Sequence, residues 1–214
     1  MLTFAEELIL LALDDTTGKF RHTSNAKFEL VLVGAMLMNL ALMDRIDTDL
    51  ENLITIDSSN TGDVLFDRIL SLLSASPGIR DTDYWIQRVR LEIPNLRELL
   101  IQQLVAKGIL KEQDQKFLWV FNLRRYPVLD NTEQKEVKTR IRDIVLSDDI
   151  PDPHDIVLIS LITSCGLLRE VFTKEELKET EKRIYQIAQM DLIGQAVFQS
   201  IVQEIVTSAG HLAY

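Results

Sequence analysis

The sequence is short of the residues that build most metal and catalytic sites. It has one cysteine, Cys165, and three histidines, His22, His154 and His211, which lie far apart and have no ligand-spaced partners. A structural zinc site needs four Cys or His ligands, and a catalytic one usually has three protein ligands. The sequence also lacks a glycine-rich phosphate loop and a Gly-x-Ser-x-Gly elbow. We therefore expect no metal, no cofactor and no catalytic residues, and predict a non-catalytic protein.

Other absences bear on the compartment. A single cysteine excludes an internal disulfide and fits a reducing environment. The first residues carry no basic segment of the kind that opens a signal peptide. The longest apolar stretch, residues 30–43, is shorter than the roughly 20 residues that span a bilayer, and it contains Asn39. These features predict a cytoplasmic protein that is at most peripheral on a membrane face.

Positive charge is scarce over the whole chain. The 23 Lys and Arg residues face 33 Asp and Glu residues, which gives a formal net charge of −10. A nucleic-acid-binding protein needs a large electropositive surface, so we expect no nucleic-acid partner. The sequence shows no repeat and no flexible linker, and we predict a single domain over residues 1–214.

Helical periodicity dominates what the sequence does contain. Two segments, residues 28–43 and 156–162, are apolar almost all round, and we expect them to form central helices. The predicted fold class is mainly α, with these two helices ringed by amphipathic ones and a protruding β-hairpin. A last segment with an apolar residue every four positions predicts a further helix that docks on the body. Its apolar residues are Ile193, Val197, Ile201 and Ile205.

Several reactive side chains have structural explanations. His154 lies in the segment 152–155, where we expect a role in starting a helix rather than in catalysis. Glu6 and Glu7 lie at a predicted helix start, where the helix dipole or solvation accounts for them. Cys165 lies on a predicted apolar helix, so we expect a buried and inert thiol.

The pattern changes from helical to strand-like near the middle of the chain. Pro94 opens and Gly108 closes a predicted amphipathic helix. A short apolar run at residues 109–111 follows, then a polar stretch at 112–115 and an aromatic, β-prone run at 116–121. We interpret the two runs as hairpin strands joined by a turn at the polar stretch. Only one face of this hairpin can cover the helix, so the other face needs a partner or a membrane.

Basic residues are concentrated around this predicted hairpin. Residues 107–126 contain five Lys or Arg and two acidic residues, a local charge of about +3 in an acidic chain. An anionic lipid surface selects apolar side chains flanked by basic ones, at roughly 1 kcal/mol per basic residue. The alternatives are an edge hairpin protected by charge, or a module that binds a protein or a second copy by strand addition. The predicted contact residues are Phe117, Leu118, Trp119, Val120, Lys111, Lys116, Arg124 and Arg125.

A second candidate site lies at the start of the helix opened by Pro94. Arg97 falls in the first turn, where a cation is unfavourable for the helix dipole unless an anion is near. Free backbone N–H groups and a guanidinium can together hold a phosphate. We predict that Arg97, Arg90 and Arg88 bind a lipid phosphate. The alternative is that Arg97 pairs with Glu92 or another surface carboxylate.

Five groups of residues occur in a recognisable order and spacing. They are Thr3-Phe4-Ala5-Glu6-Glu7-Leu8, Gly34-Ala35-Met36-Leu37 with Leu40-Ala41-Leu42, Thr61-Gly62-Asp63-Val64-Leu65, Leu104-Val105-Ala106-Lys107-Gly108-Ile109-Leu110, and Asp152-Pro153-His154. Over nearly the whole chain they resemble the Golgi phosphoprotein 3 family. The resemblance implies a mostly helical domain with a protruding hydrophobic hairpin. In the eukaryotic members of this family, the domain binds phosphatidylinositol 4-phosphate, inserts the hairpin into Golgi membranes and links the cytosolic tails of glycosyltransferases to coat proteins.

The resemblance also locates the headgroup pocket. The family's lipid-contacting tryptophan falls near Ser24, its first arginine at Val33 and a second basic position at Pro94, which leaves Arg97 as the matching arginine. Each lost charge-assisted hydrogen bond costs about 1.5–3 kcal/mol, so we expect weakened recognition of phosphatidylinositol 4-phosphate. The resemblance to the family begins directly after Met1, without the basic N-terminal extension of the eukaryotic adaptors. This predicts a bacterial-type member.

Overall fold

The computed structural model describes residues 2–14, 17–20, 25–48, 52–111, 113–117, 121–126 and 132–191. Within these ranges the chain forms eight α-helices, one 3-10 helix and two antiparallel strand pairs, which confirms the predicted mainly α fold class with a β-hairpin. The helices are α1 (Phe4–Ala12), α2 (Asn25–Leu42), α3 (Val64–Ser74), α4 (Thr82–Glu92), α5 (Leu96–Ala106), α6 (Thr132–Leu146), α7 (Pro153–Cys165) and α8 (Lys174–Ala188), with the 3-10 helix at Leu167–Glu170. The strands are β1 (Ile46–Thr48), β2 (Leu53–Thr55), β3 (Gln113–Phe117) and β4 (Phe121–Arg125).

The centre of the core is formed by α1 together with the two predicted apolar helices. These helices, α2 and α7, pack against each other, and α1 packs against both of them and against α5 and α6. Every residue of α1 is buried, including two glutamates. The predicted helix containing Ile193, Val197, Ile201 and Ile205 lies outside the described residues. Within the described ranges, every helix falls short of the length or the hydrophobicity that a bilayer span requires.

Helix ends follow the local sequence signals closely. Thr3 accepts a hydrogen bond from the Glu6 backbone N–H, and the Glu6 carboxylate accepts one from the Thr3 N–H, which completes a capping box. Gly108 adopts φ 74° directly after α5, the left-handed conformation that lets a glycine end a helix. The predicted limits of α5 are therefore correct at its C-terminal end. At the other end, Pro94 lies two residues before the first helical residue rather than inside the helix.

The hairpin is present, but its strands are shifted along the sequence from the predicted ones. β3 and β4 are antiparallel, with Gln113 opposite Arg125 at one end and Phe117 opposite Phe121 at the other. The prediction of a turn at residues 112–115 was wrong, because most of this polar stretch lies in β3. The two strands are instead joined by residues 118–120, which lie outside the described part of the chain.

The strand positions were wrong because the pairing of a strand depends more on its partner strand than on the β propensity of its own residues. The predicted first strand, residues 109–111, packs on the core instead, where Leu110 is buried and the Ile109 backbone N–H donates to the Leu104 carbonyl at 3.0 Å. The predicted second strand, residues 116–121, covers the end of β3 and the beginning of β4.

Candidate functional site

Arg97 lies in the first turn of α5, at a helix start without a side-chain cap of its own. Asn95 occupies the N-cap position with φ 62°, in the left-handed region, and makes no capping hydrogen bond. The charge and the backbone of Arg97 favour the ionised form of Glu29 on α2, and so act to lower the pKa of that carboxyl group. The anion near Arg97 is therefore a side chain of the protein itself. A nearby anion offsets the unfavourable placement of a cation at a helix start.

The Arg97 guanidinium also has close neighbours. Its Nη2 lies 2.8 Å from Oε1 of Glu98, and its central carbon lies 5.1 Å from the centre of the Phe20 ring. Phe20 meets Phe28 edge to face, at 6.1 Å between ring centres. The alternative stated above, in which Arg97 pairs with a surface carboxylate, thus describes the structure, with Glu98 in place of Glu92.

The other two arginines of the predicted phosphate site point to different partners. Arg88 pairs with Glu92 one turn along α4, at 2.7 Å. Arg90 is close enough to Glu29 to stabilise its carboxylate electrostatically. The charges of Arg90 and Arg97 therefore both influence Glu29, whereas Arg88 pairs with Glu92.

Glu29 is half-buried among these charges. Burial is the largest influence on this group and raises its pKa above the usual range. The charges of Arg97 and Arg90 and the hydrogen bond from the Arg97 backbone act in the opposite direction, and Glu98 adds to the increase.

The positions that the family resemblance assigns to the headgroup pocket differ from one another in burial. Val33 is fully buried in the core, so this position contributes packing rather than charge. Pro94 is exposed at the turn before α5. Ser24 lies outside the described residues. Of the resembling pocket positions, Arg97 alone carries a cation.

The base of the hairpin is tied to the same part of the molecule. Tyr126, directly after β4, is buried, and its backbone N–H donates to the Gly18 carbonyl at 3.0 Å. Phe20 follows Gly18 by two residues, and its ring lies beneath the Arg97 guanidinium. The segment 17–20 therefore connects the hairpin to the phosphate-site candidate.

The basic residues of the hairpin segment divide into two groups. Lys107 is bound to the body, with its Nζ 2.6 Å from Oε1 of the fully buried Glu6. Without this lysine the segment carries a charge of about +2 rather than +3. Lys111 is exposed after α5. Of the other predicted contact residues, Lys116, Phe117, Arg124 and Arg125 belong to β3 and β4, and Leu118, Trp119 and Val120 lie outside the described residues.

Sequence reasoning missed a buried charged cluster between α1, α6 and α7. Arg140 donates from Nη2 to Glu7 Oε1 at 2.9 Å and from Nε to Asp155 Oδ1 at 2.8 Å. The His154 ring packs against Phe4, with centres 4.4 Å apart, and its Nε2 is 3.6 Å from Glu7 Oε2. The expectation that solvation accounts for Glu7 was therefore wrong. Within the described ranges, no group of three or more His, Cys, Asp and Glu side chains is arranged to hold a metal ion.

Burial shifts the titration of this cluster. It raises the pKa of Glu7 and of Asp155, and it lowers the pKa of His154 below 6.5. The thiol of Cys165, on the same α7 helix, has its pKa raised by burial to about 12, so it is unreactive at neutral pH.

The histidine makes stability depend on pH. Between its folded-state pKa and 6.5, the unfolded chain takes up a proton that folded His154 does not, so stability falls as the pH decreases. Replacing His154 with asparagine removes this dependence. From about pH 7.5 to about pH 5.5, we expect the wild type to lose up to ~1 kcal/mol more than His154→Asn. Urea unfolding at several pH values measures the difference, and parallel pH profiles for the two proteins would contradict it.

Comparison with known proteins agrees with this architecture. The model of the family described as Golgi phosphoprotein 3 (GPP34) matches residues 4–205, a range that includes α1 to α8 and the β3–β4 hairpin. The chain belongs to the Golgi phosphoprotein 3 family. This confirms the resemblance seen in the five groups of residues.

One curated relative in this family comes from a fungus. The chain is similar to the vacuolar protein sorting-associated protein 74 of Eremothecium gossypii, with 27% identity over 169 residues. The match covers 70% of this chain and 50% of the relative. The matched part of the chain therefore corresponds to about half the length of this curated relative.

Proposed function

We propose that this Golgi phosphoprotein 3 family member is a non-catalytic peripheral membrane protein that docks through the β3–β4 hairpin. The observation that carries the proposal is a basic and apolar hairpin on an acidic helical body, in which each strand makes its main contacts with the other strand. A two-stranded hairpin needs a partner surface for its apolar residues, and the proposal gives this part to lipid. The buried Tyr126 fixes the base of the hairpin to the body.

The sequence of the hairpin fits a lipid surface. Its two strands are joined by Leu118-Trp119-Val120, which supplies apolar area for the interface. Four basic residues flank this apolar group and each adds roughly 1 kcal/mol of attraction to an anionic leaflet. They are Lys111, Lys116, Arg124 and Arg125.

We further propose that the start of α5 takes the phosphate of a lipid headgroup, with phosphatidylinositol 4-phosphate as the ligand that the family suggests. Arg97 supplies a guanidinium and a backbone N–H, and Arg90 adds positive charge. Recognition is weak in this chain, because Val33 and Pro94 provide no charge-assisted bonds.

Vesicle flotation tests this proposal. Wild-type protein is mixed with neutral vesicles, vesicles rich in phosphatidylserine, and vesicles that contain phosphatidylinositol 4-phosphate, each at low and at physiological salt. We expect flotation with both anionic compositions, stronger at low salt because screening weakens exposed charge contacts. Arg97→Met should remove any added effect of the phosphoinositide and leave general anionic binding intact. A protein that remains at the bottom of every gradient would contradict membrane docking.

The hairpin also supports a second candidate function, binding of a protein partner or a second copy of the chain. β3 and β4 form a two-stranded sheet, so each strand has one edge outside the pair, and such an edge can accept a further strand. Light scattering over a range of protein concentrations distinguishes this function. A dimer would favour strand addition, whereas a monomer at all concentrations would count against self-association.

A further inference from the structure

One oxygen of the buried Glu7 carboxylate has no hydrogen-bond partner. Oε1 accepts a hydrogen bond from Arg140, whereas Oε2 is buried and accepts none within the described part of the chain. Buried polar atoms nearly always have a partner, so such an oxygen needs an explanation. The ring nitrogen Nε2 of His154 lies 3.6 Å from this oxygen, just beyond hydrogen-bonding distance. Glu7 therefore holds an unused acceptor beside a titratable side chain.

The contacts of the other ring nitrogen determine which tautomer the neutral His154 ring adopts. Nη2 of Arg140 lies 3.4 Å from Nδ1 of the ring. A guanidinium only donates hydrogen bonds, so Nδ1 is the acceptor, and the single proton of the neutral ring is then on Nε2. The Phe4 ring packs against the imidazole, with centres 4.4 Å apart. The neutral ring is therefore bound by Arg140, and its N–H lies on the side of Glu7.

Protonation of His154 changes these contacts, because the incoming proton binds to Nδ1. A protonated Nδ1 no longer accepts a hydrogen bond from Arg140, and the two positive groups repel each other. Oδ1 of Asp155 lies 4.0 Å from Nδ1 and is an acceptor for the new N–H. The positive charge of the ring also strengthens a hydrogen bond from Nε2–H to Oε2 of Glu7.

We propose that His154 is a proton switch at the N-terminal end of α7, in which the neutral ring is bound by Arg140 and the protonated ring binds the carboxylates of Glu7 and Asp155 instead. The ring thus joins α7 to α6 in one state and to α1 in the other. The inference is independent of membrane docking, because none of these residues belongs to the β3–β4 hairpin.

The charged groups around His154 favour such a switch. They are Glu7 on α1, Arg140 on α6, and Asp152 and Asp155 at the N-terminal end of α7. Three ionised carboxylates and one guanidinium carry two net negative charges, and a proton on the ring reduces this excess. Burial opposes protonation and lowers the pKa of His154, so the change of partners takes place below pH 6.5. The His154 side chain is 24% exposed, which gives protons from the solvent access to it.

Nitrogen NMR spectra of the imidazole rings test the switch in the wild type. The spectrum of His154→Asn identifies the His154 signals among those of the three histidines. We expect the Nε2–H tautomer at neutral pH. Below the midpoint of the titration, we expect an Nε2–H proton that exchanges slowly with water, because it is bound to a buried oxygen. A neutral ring with its proton on Nδ1, or a protonated ring whose Nε2–H exchanges freely, would overturn the proposal.

Two substitutions should change the proton affinity of His154 in opposite directions. Glu7→Gln removes a carboxylate that binds the protonated ring, so the affinity should fall at least ~3-fold. Arg140→Met removes the donor that binds the neutral ring and a repelling charge, so the affinity should rise. Thermal unfolding verifies that each variant is folded at the pH values used. Shifts in the same direction would exclude the exchange of partners.

Asp152→Asn provides the matched control. It removes one negative charge from the same end of α7, and its amide oxygen can still cap the helix. The proton affinity of His154 should fall less than in Glu7→Gln, and the slowly exchanging Nε2–H should remain. An equal fall in the two variants would mean that general charge is responsible, and would overturn the role of Glu7. If a variant at position 7 or 140 does not fold, the wild-type spectra decide by the criteria above.

Discussion

Arg140→Met should lower the free energy of unfolding by about 2–4 kcal/mol, the largest stability effect that we expect from a single surface-reaching side chain. Arg140 is the hydrogen-bond partner of both Glu7 and Asp155, whose side chains are only 4% exposed. Removing it leaves two carboxylates in a low-dielectric environment without their cation. The Arg140 side chain is 38% exposed, so water offsets part of the loss, and the effect stays below that of a fully buried pair. Urea unfolding gives the measurement.

A double-mutant cycle tests this cause. If the loss comes from the unpaired Glu7 carboxylate, adding Glu7→Gln to Arg140→Met should recover a large part of the stability, because a neutral amide costs less to bury than a charge. Arg142→Met, two residues along α6, provides a matched comparison, since its partner Glu176 is more exposed than Glu7. We expect this control to cost about 1 kcal/mol or less. Equal losses in Arg140→Met and Arg142→Met would refute the account.

Substitution of the residues that join β3 and β4 in the sequence should have the largest functional effect. The pair Leu118→Asp and Trp119→Asp should reduce binding to anionic vesicles at least ~10-fold, because it places two charges where the proposal puts apolar contact with lipid. Flotation at several lipid concentrations measures the loss.

The control places the same change elsewhere on the surface. Val64 and Ile150 are exposed by 78% and 92%, and they lie on the helical body away from the hairpin in sequence. Val64→Asp with Ile150→Asp adds the same negative charge at two exposed apolar positions. Vesicle binding should remain near the wild-type level. A loss as large as that of the hairpin pair would show that net charge, and not the hairpin, controls binding.

The fold could be predicted from the sequence where local signals decide the structure. The capping box at Thr3 and the glycine at position 108 fix helix ends through hydrogen bonds and backbone conformation within a few residues. The hairpin strands were predicted out of place, because the register depends on which residues pair across the two strands. The β propensity of residues 116–121 instead favoured placing this aromatic run in the middle of a strand.

The candidate site was less predictable, because its contacts join distant parts of the chain. Arg97 was found through its conflict with the helix dipole, a local signal. The Phe20 ring that lies beneath its guanidinium comes from a distant part of the chain, and nothing in the sequence context of Phe20 indicates this contact. The same holds for Glu7 and Arg140, which are 133 residues apart in the chain.

The most direct test of the account is whether Trp119 enters the bilayer when the protein binds. The chain has two tryptophans, and the other one, Trp85, is buried in the core, so Trp85→Phe leaves Trp119 as the single reporter. Fluorescence of this variant is measured on anionic vesicles whose lipids carry bromine at different depths of the acyl chains. Docking through the hairpin predicts strong quenching by bromines near the interface. Protein that floats with the vesicles while its Trp119 emission is unquenched would contradict it.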